Sequence, residues 1–367
     1  MALAQSNALR IVHPCHGAIL RDCDGQRRGE TLLVTVCGTA PPGWRVIVGG
    51  REARRAGELF FCPVEISGTQ ATIRAEATRR GHRLQAQATV FWDRNSCRRY
   101  RLSLDDNIIF LKNLARNARH YKSLFDDPYL AFWHDLHQRY GTKVHINIYY
   151  RTEGFDLSEM PAKFRGQWRD NAHWLRLSFH ALQDQPPRPY LDAPAEKLLR
   201  DFDMVCEQIV RFAGEELLSP FTTIHWGEAT REACRALRKR GVVGLAGYFQ
   251  LRNEKPAVAY YLDAETTKYL SSHDYWKDVE EDLWFITHDL VMNAATPEEI
   301  PQILSWKAAD PRTEHVMEVM IHEQYFWPEH PLHLPDFKER VIAAVSWLSE
   351  NNYLPVFYEE GFLGARQ

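Results

Sequence analysis

From Tyr100 onward, runs of strand periodicity alternate with runs of helical periodicity for about 265 residues, and few folds accept that order. The strand candidates are 100–106, 143–150, 174–180, 221–226, 242–249, 283–288 and 315–322. Between them, apolar spacing predicts helices over 128–140, 195–213, 228–240, 297–306 and 337–349. The 195–213 stretch shows why: Leu198, Phe202, Val205, Ile209 and Phe212 recur three or four apart, which is one face of a helix. Gly241 closes the 228–240 run as a C-terminal stop, and Pro335-Asp336 opens the last helix. Strands joined through helices pair in parallel, so the region is α/β, with a sheet closed or nearly closed into a barrel. Residues 251–275, with Pro256 and Tyr260-Tyr261, break the alternation and read as an inserted hairpin or loop.

The first hundred residues have another texture. Short apolar runs at 8–12, 31–36, 44–48, 59–64, 71–77 and 84–91 are separated by Asp24-Gly25, Pro41-Pro42-Gly43, Gly49-Gly50 and Ser67-Gly68. Strands at this spacing predict a small immunoglobulin-like β-sandwich over 1–98, preceding the barrel at 99–367. Within it, His13, Cys15, His16 and Cys23 are irregularly spaced and lack a matching second pair, so they read as loop residues rather than a metal site.

Composition narrows the partners. A net charge of −3 supplies no field that would draw the chain to nucleic acid. No run of about 18 apolar residues is present to span a membrane. The opening residues lack a charged and then apolar leader pattern, and the seven cysteines are scattered without a Cys-x-x-Cys pair; both point to a cytoplasmic protein with reduced thiols. The oligomeric state is not legible from the sequence.

Chemistry concentrates at the C-terminal ends of the strand candidates, where parallel α/β folds place their sites. The first strand ends in Asp105-Asp106, two carboxylates whose repulsion a cation or a shared proton relieves. Equally, one of them caps the next helix and the other is solvated. The third strand ends in His180, with Asp184 four residues on, which shares a face with His180 if the chain turns helical there. The fourth gives His225-Trp226-Gly227-Glu228, the sixth His288-Asp289 and the last His322-Glu323. Taken singly, each of these histidines also fits a packed, hydrogen-bonded role. A barrel gathers strand ends in one mouth, and imidazole with carboxylate suits a borderline divalent cation.

The order of these segments resembles the five motifs of polysaccharide deacetylases of the NodB-homology type, carbohydrate esterase family 4, over Tyr100 to about Phe362. Ser103-Leu-Asp-Asp-Asn107 is similar to Thr-Phe-Asp-Asp-Gly. The resemblance implies that Asp105 is the base and Asp106 a metal ligand. Ser178-Phe-His-Ala-Leu-Gln-Asp184 resembles the His-x-x-x-His motif, with His180 matching and Asp184 in place of the second histidine. Thr222-Thr-Ile-His-Trp-Gly227 stands where the family has Arg-Pro-Pro-Tyr-Gly. Trp226 matches the oxyanion position, and the arginine that orients the base is replaced by Thr223. Trp284-Phe-Ile-Thr-His-Asp289 loosely matches the fourth motif. Met320-Ile-His322 resembles Leu-x-His, which implies that His322 is the general acid.

The resemblance thus implies a distorted (β/α)7-type barrel that binds a saccharide and deacylates it. The divalent metal, zinc first with manganese, cobalt, nickel or magnesium as alternatives, is held by Asp106, His180 and Asp184, with Trp226, His225 and Glu323 on the substrate and oxyanion side. Two other readings stay open: a saccharide-binding scaffold on the same barrel, and a glycosidase pairing Asp105 with Glu228 or Glu323.

Overall fold

The computed structural model describes residues 8–364. The chain divides into two compact units: one runs to Ser96 and takes in Trp276–Glu280, and the other comprises Cys97–Tyr275 and Glu281–Gly361. The first unit holds two five-stranded sheets. Strands Arg10–His13, Gln26–Arg28, Thr31–Thr39, Arg54–Ala56 and Leu59–Ser67 form one; Ile19–Leu20, Arg45–Val48, Arg51–Glu52, Gln70–Arg79 and His82–Trp92 form the other. Nearly all pairs are antiparallel; Ile19–Leu20 runs parallel to its partner. Along Thr31–Thr39, Leu32, Val34 and Val36 are fully buried while the residues between them are not, the period of two that one buried face imposes.

The second unit is mixed α/β. Its main strands are β1 (Arg99–Asn107), β2 (Val144–Tyr149), β3 (Leu175–Ala181), β4 (Phe221–Thr222), β5 (Gly244–Gly247), β6 (Leu283–Thr287) and β7 (Val316–His322). Its principal helices are α1 (Ile109–Asn117), α2 (Pro128–Tyr140), α3 (Ala195–Phe212), α4 (Arg231–Lys239), α5 (Glu299–Ala309) and α6 (Phe337–Glu350). One sheet runs β3–β2–β1–β7, all parallel, and a second runs β4–β5–β6. The chain beyond β6 continues into Leu290–Val291, which pairs with β7. Between β3 and β4 there is no full ladder, but Ser219 N–H donates to Leu177 O at 2.9 Å and Thr222 Oγ1 donates to Phe179 O.

Local chemistry sets the elements. Pro128 begins α2, where its missing N–H costs nothing, and Asp127 caps the helix by accepting the N–H groups of Tyr129 and Leu130, both at 3.0 Å. The helix stops at Gly141, which takes the left-handed conformation (φ 69°). In α3 the buried residues Leu198, Phe202, Val205, Ile209 and Phe212 form the face read from the sequence, each contributing about 1.5–3 kcal/mol on burial. The 251–275 interruption is a hairpin, Gln250–Arg252 with Lys255–Ala257, followed by a short helix, Ala264–Leu270.

Strand β1 is buried on both sides, so its alternation divides apolar from polar rather than inside from outside. Tyr100, Leu102 and Leu104 lie on one side. Arg101, Ser103 and Asp105 lie on the other, where Arg101 Nη1 meets Glu318 Oε1 at 2.7 Å. Asp105 therefore points into a polar interior. Among the described residues no helix is long and apolar enough to cross a membrane.

Candidate active site

In a regular strand, Asp105 and Asp106 would face opposite sides. The end of β1 is not regular. Its register against β2 slips between Leu104 and Asn107, and Asp106 has φ 61°, a left-handed backbone that is uncommon outside glycine. Both carboxylates thereby reach the same interior end. Asp105 stands level with His322 in the β1–β7 register, one strand spacing away. Its Oδ1 accepts the Asn147 Nδ2–H at 2.6 Å. The Asn147 carbonyl oxygen is itself fixed by the Ser178 hydroxyl and by the Thr223 N–H at 3.1 Å. Burial, and then the charge on Asp106, push the Asp105 pKa well above the usual carboxylate range.

Asp106 is the hub. His180 Nε2 lies 3.0 Å from Asp106 Oδ1, His225 Nδ1 lies 3.2 Å from the same oxygen, and the two ring nitrogens are 3.2 Å apart. Gln324 Nε2–H donates to Asp106 Oδ2 at 2.9 Å. The other nitrogen of His180, Nδ1, bonds the backbone oxygen of Thr223. A carbonyl cannot donate, so Nδ1 carries the hydrogen, and in the neutral ring Nε2 is a bare lone pair aimed at a carboxylate oxygen. Burial lowers the His180 pKa and so favours that neutral form. Burial alone would raise Asp106; only donated hydrogen or positive charge from the His180 and His225 side, with His322 nearby, holds it well below its usual value. Neutral imidazole facing ionised carboxylate at 3.0 Å is repulsive unless a positive centre lies between them. Asp106, His180 and His225 present ligand atoms within 4.8 Å of one another. This donor set fits a divalent cation of the zinc, manganese, cobalt or nickel type, and the Thr223 carbonyl behind His180 is the supporting contact such ligands use.

Around the hub, His322 Nδ1 donates to Asn293 Oδ1 at 2.8 Å, and its Nε2 lies 4.0 Å from Asp106 Oδ2. A cavity of about 560 Å³ opens from Asp106, lined among others by Tyr149, Arg151, Gln183, Gln324 and His330. Trp226 sits beside His225 with ring centroids 5.9 Å apart, and its side chain is 47% exposed.

Three sequence expectations change place. Asp184 does not share a face with His180, because the chain bends after Ala181 and meets Pro186-Pro187 instead of turning helical. Its carboxylate is 62% exposed and stands 3.6 Å from His225 Nε2, behind that ring rather than in the cluster. His225 takes the third place. Trp226 has φ 68°, and this reversal turns His225 inward and the indole outward. Glu323 does not face the cavity. Its oxygens accept the N–H groups of Ile108 (2.6 Å), Ile109 (2.8 Å) and Phe110 (2.6 Å) and the indole N–H of Trp327 (3.0 Å), which makes it the cap of α1. Glu228, the other glycosidase candidate, is engaged through both oxygens by Arg188 at 2.8 and 2.5 Å. The position of Asp184 has a measurable consequence: D184N changes cation affinity by no more than about tenfold, because the exposed carboxylate stands 3.6 Å from His225 Nε2, outside hydrogen-bond reach. A loss as deep as that of a direct ligand, read by calorimetric titration, returns Asp184 to the ligand set.

Sequence reasoning missed Tyr149, Asn147, Asn293 and Gln324. The signal for the first two was available: Tyr149 lies at the C-terminal end of the 143–150 strand candidate, one residue before its last, and Asn147 lies two residues earlier. Asn293 and Gln324 follow strands in single 3-10 turns, too short to carry a periodicity.

No family model matches the chain, and no curated protein sequence does. Among solved structures, it is similar to a CE4 esterase from Streptococcus mutans (9% identity, 72% of this chain and 87% of that one, TM-score 0.40). A putative polysaccharide deacetylase from Mycobacterium smegmatis has 10% identity over 71% of this chain and 87% of that one, TM-score 0.41. A 4-alpha-glucanotransferase from Thermococcus litoralis has 14% identity over 72% of this chain and 40% of that one, TM-score 0.43.

Proposed function

We propose that the second unit is a cation-dependent hydrolase that removes an acyl group, acetyl first, from an amino sugar or acylated saccharide. The observation that carries this reading is the Asp106–His180–His225 cluster beside Asp105 and His322, which stand level with each other on neighbouring strands, His322 Nε2 4.0 Å from Asp106 Oδ2. The strand pairings support a distorted (β/α)7-type barrel as the scaffold, and the two antiparallel sheets of the first unit support an immunoglobulin-like sandwich.

A divalent cation bound here polarises the scissile carbonyl and acidifies water. The remaining work falls to the chain. Asp105, held by Asn147 Nδ2–H, takes the proton from the attacking water; its raised pKa makes it a stronger base than an exposed carboxylate. Here a neutral amide occupies the role that the resemblance assigned to an arginine. His322, aligned by its Nδ1–H on Asn293, takes up at Nε2 the proton that leaves the water by way of Asp105 and then delivers it to the departing nitrogen or oxygen. The exposed indole of Trp226 offers an apolar face on which a sugar ring packs.

The test is acetate release from acetylated oligosaccharides by protein stripped of metal and then reloaded with each of zinc, manganese, cobalt and nickel. Release restored by at least one cation and abolished by chelation is the expected result. No release with any of the four overturns the hydrolase reading.

A further inference from the structure

The phenol oxygen of Tyr149 enters the ligand cluster itself. Tyr149 is buried at the end of β2, its O–H donates to Asp106 Oδ1, and its oxygen lies 3.0 Å from His225 Nδ1. The other separations in the cluster are 3.0 Å (Asp106–His180), 3.2 Å (Asp106–His225) and 3.2 Å (His180–His225). Ligand atoms held at about 2.0–2.2 Å by one small cation stand roughly 3.0–3.5 Å from their neighbours, so Tyr149 has the spacing of a member of the set.

Counting hydrogens points the same way. His180 has its hydrogen on Nδ1, toward Thr223 O, which leaves its Nε2 bare. That lone pair, the Asp106 carboxylate oxygen and the Tyr149 oxygen face one another with His225 Nδ1 beside them, a group rich in lone pairs for one cation. A tyrosine that served only to orient Asp106 would need to touch the carboxylate alone; this one also reaches the histidine.

We propose that Tyr149 Oη is a fourth protein donor to the cation held by Asp106, His180 and His225. The inference rests on the cation centre of the proposed function and not on its substrate. It also bears on which metal works. Four protein donors complete a tetrahedral zinc shell, whereas cations that accept five or six ligands keep positions free for water and substrate. The two-oxygen, two-nitrogen set therefore favours manganese, cobalt or nickel for turnover.

The test uses Co(II), whose visible d–d absorption reports the number and arrangement of its ligands. Metal-stripped wild type and Y149F are titrated with cobalt. The expected result is a dissociation constant about tenfold or more higher in Y149F, with a changed d–d spectrum. Superimposable spectra and constants within about twofold overturn the proposal. Should Y149F fail to fold, a cobalt-loaded wild-type crystal decides: a phenol oxygen at about 2.0–2.3 Å from the metal supports the inference, and one beyond about 3 Å refutes it. The outcomes separate from the hydrolase reading. Cobalt spectra that differ between the two proteins, with no acetate released, keep Tyr149 as a ligand and remove the reaction. Identical spectra with acetate released do the reverse. A wild type that binds no cobalt defeats both.

Discussion

Replacing Asp106 by Asn sharply weakens cation binding and turnover while leaving the fold intact. His180, His225, Tyr149 and Gln324 converge on the two oxygens of Asp106. The amide keeps the shape and tolerates the left-handed backbone at φ 61° as well as Asp does, so strain does not change. What it removes is the anionic charge opposite two imidazoles. Cation affinity falls by about 100-fold or more, beyond the range for loss of a supporting contact. A metal contributes several kcal/mol to charge stabilisation, and each 1.36 kcal/mol is a factor of ten, so kcat/KM falls by about 1000-fold or more. Thermal melting separates binding from folding. The metal-free variant melts within a few degrees of the metal-free wild type. The stabilisation that saturating cation gives wild type, about 2.7 kcal/mol at 100 times the dissociation constant, is absent. A D106N protein that binds cation within about tenfold of wild type removes Asp106 from the centre.

Replacing Glu323 by Ala costs stability rather than chemistry. Helix α1 starts at Ile109 with no capping side chain of its own, so its first N–H groups depend on a carboxylate more than two hundred residues away in sequence. Alanine leaves four donors without that acceptor, the buried N–H groups of Ile108 and Phe110 at about 1–3 kcal/mol each, and removes an anion from the positive end of the helix. Because the side chain leaves room into which water relaxes, the net loss is about 3–5 kcal/mol, read by urea or thermal denaturation as a fall of roughly 6–15 °C. Asp106 lies three residues before α1, so a frayed first turn also loosens the ligand hub, and cation affinity declines with stability. E323Q falls between the two, because its amide keeps one oxygen for the donors and turns an N–H₂ group toward the rest. An unchanged melting temperature with a raised KM returns Glu323 to the substrate side of the cavity.

These two residues mark where sequence reasoning worked and where it stopped. Asp106 was legible because its neighbourhood is local: an alternating strand, two adjacent carboxylates, then a helix. The whole of α2 was legible for the same reason, since Asp127, Pro128 and Gly141 act on backbone groups within a turn of themselves. Glu323 was visible as a strand-end acid, but its partners are set by which helix start lies beside β7, and nothing within its own segment records that.

The amino-acid order by itself determined the succession of strands and helices in the second unit, the strand-rich character of the first hundred residues, and the collection of acids and imidazoles at strand ends. Period and turn chemistry are properties of a few neighbouring residues, so they survive without the fold. Tertiary structure alone decided which of those side chains meet. A left-handed residue at 106, another at 226 and a bend in place of a helix after 181 brought His225 and Tyr149 to Asp106 and left Asp184 outside. The two left-handed residues are backbone conformations that cost free energy in isolation, and only the packing around them makes them the stable choice.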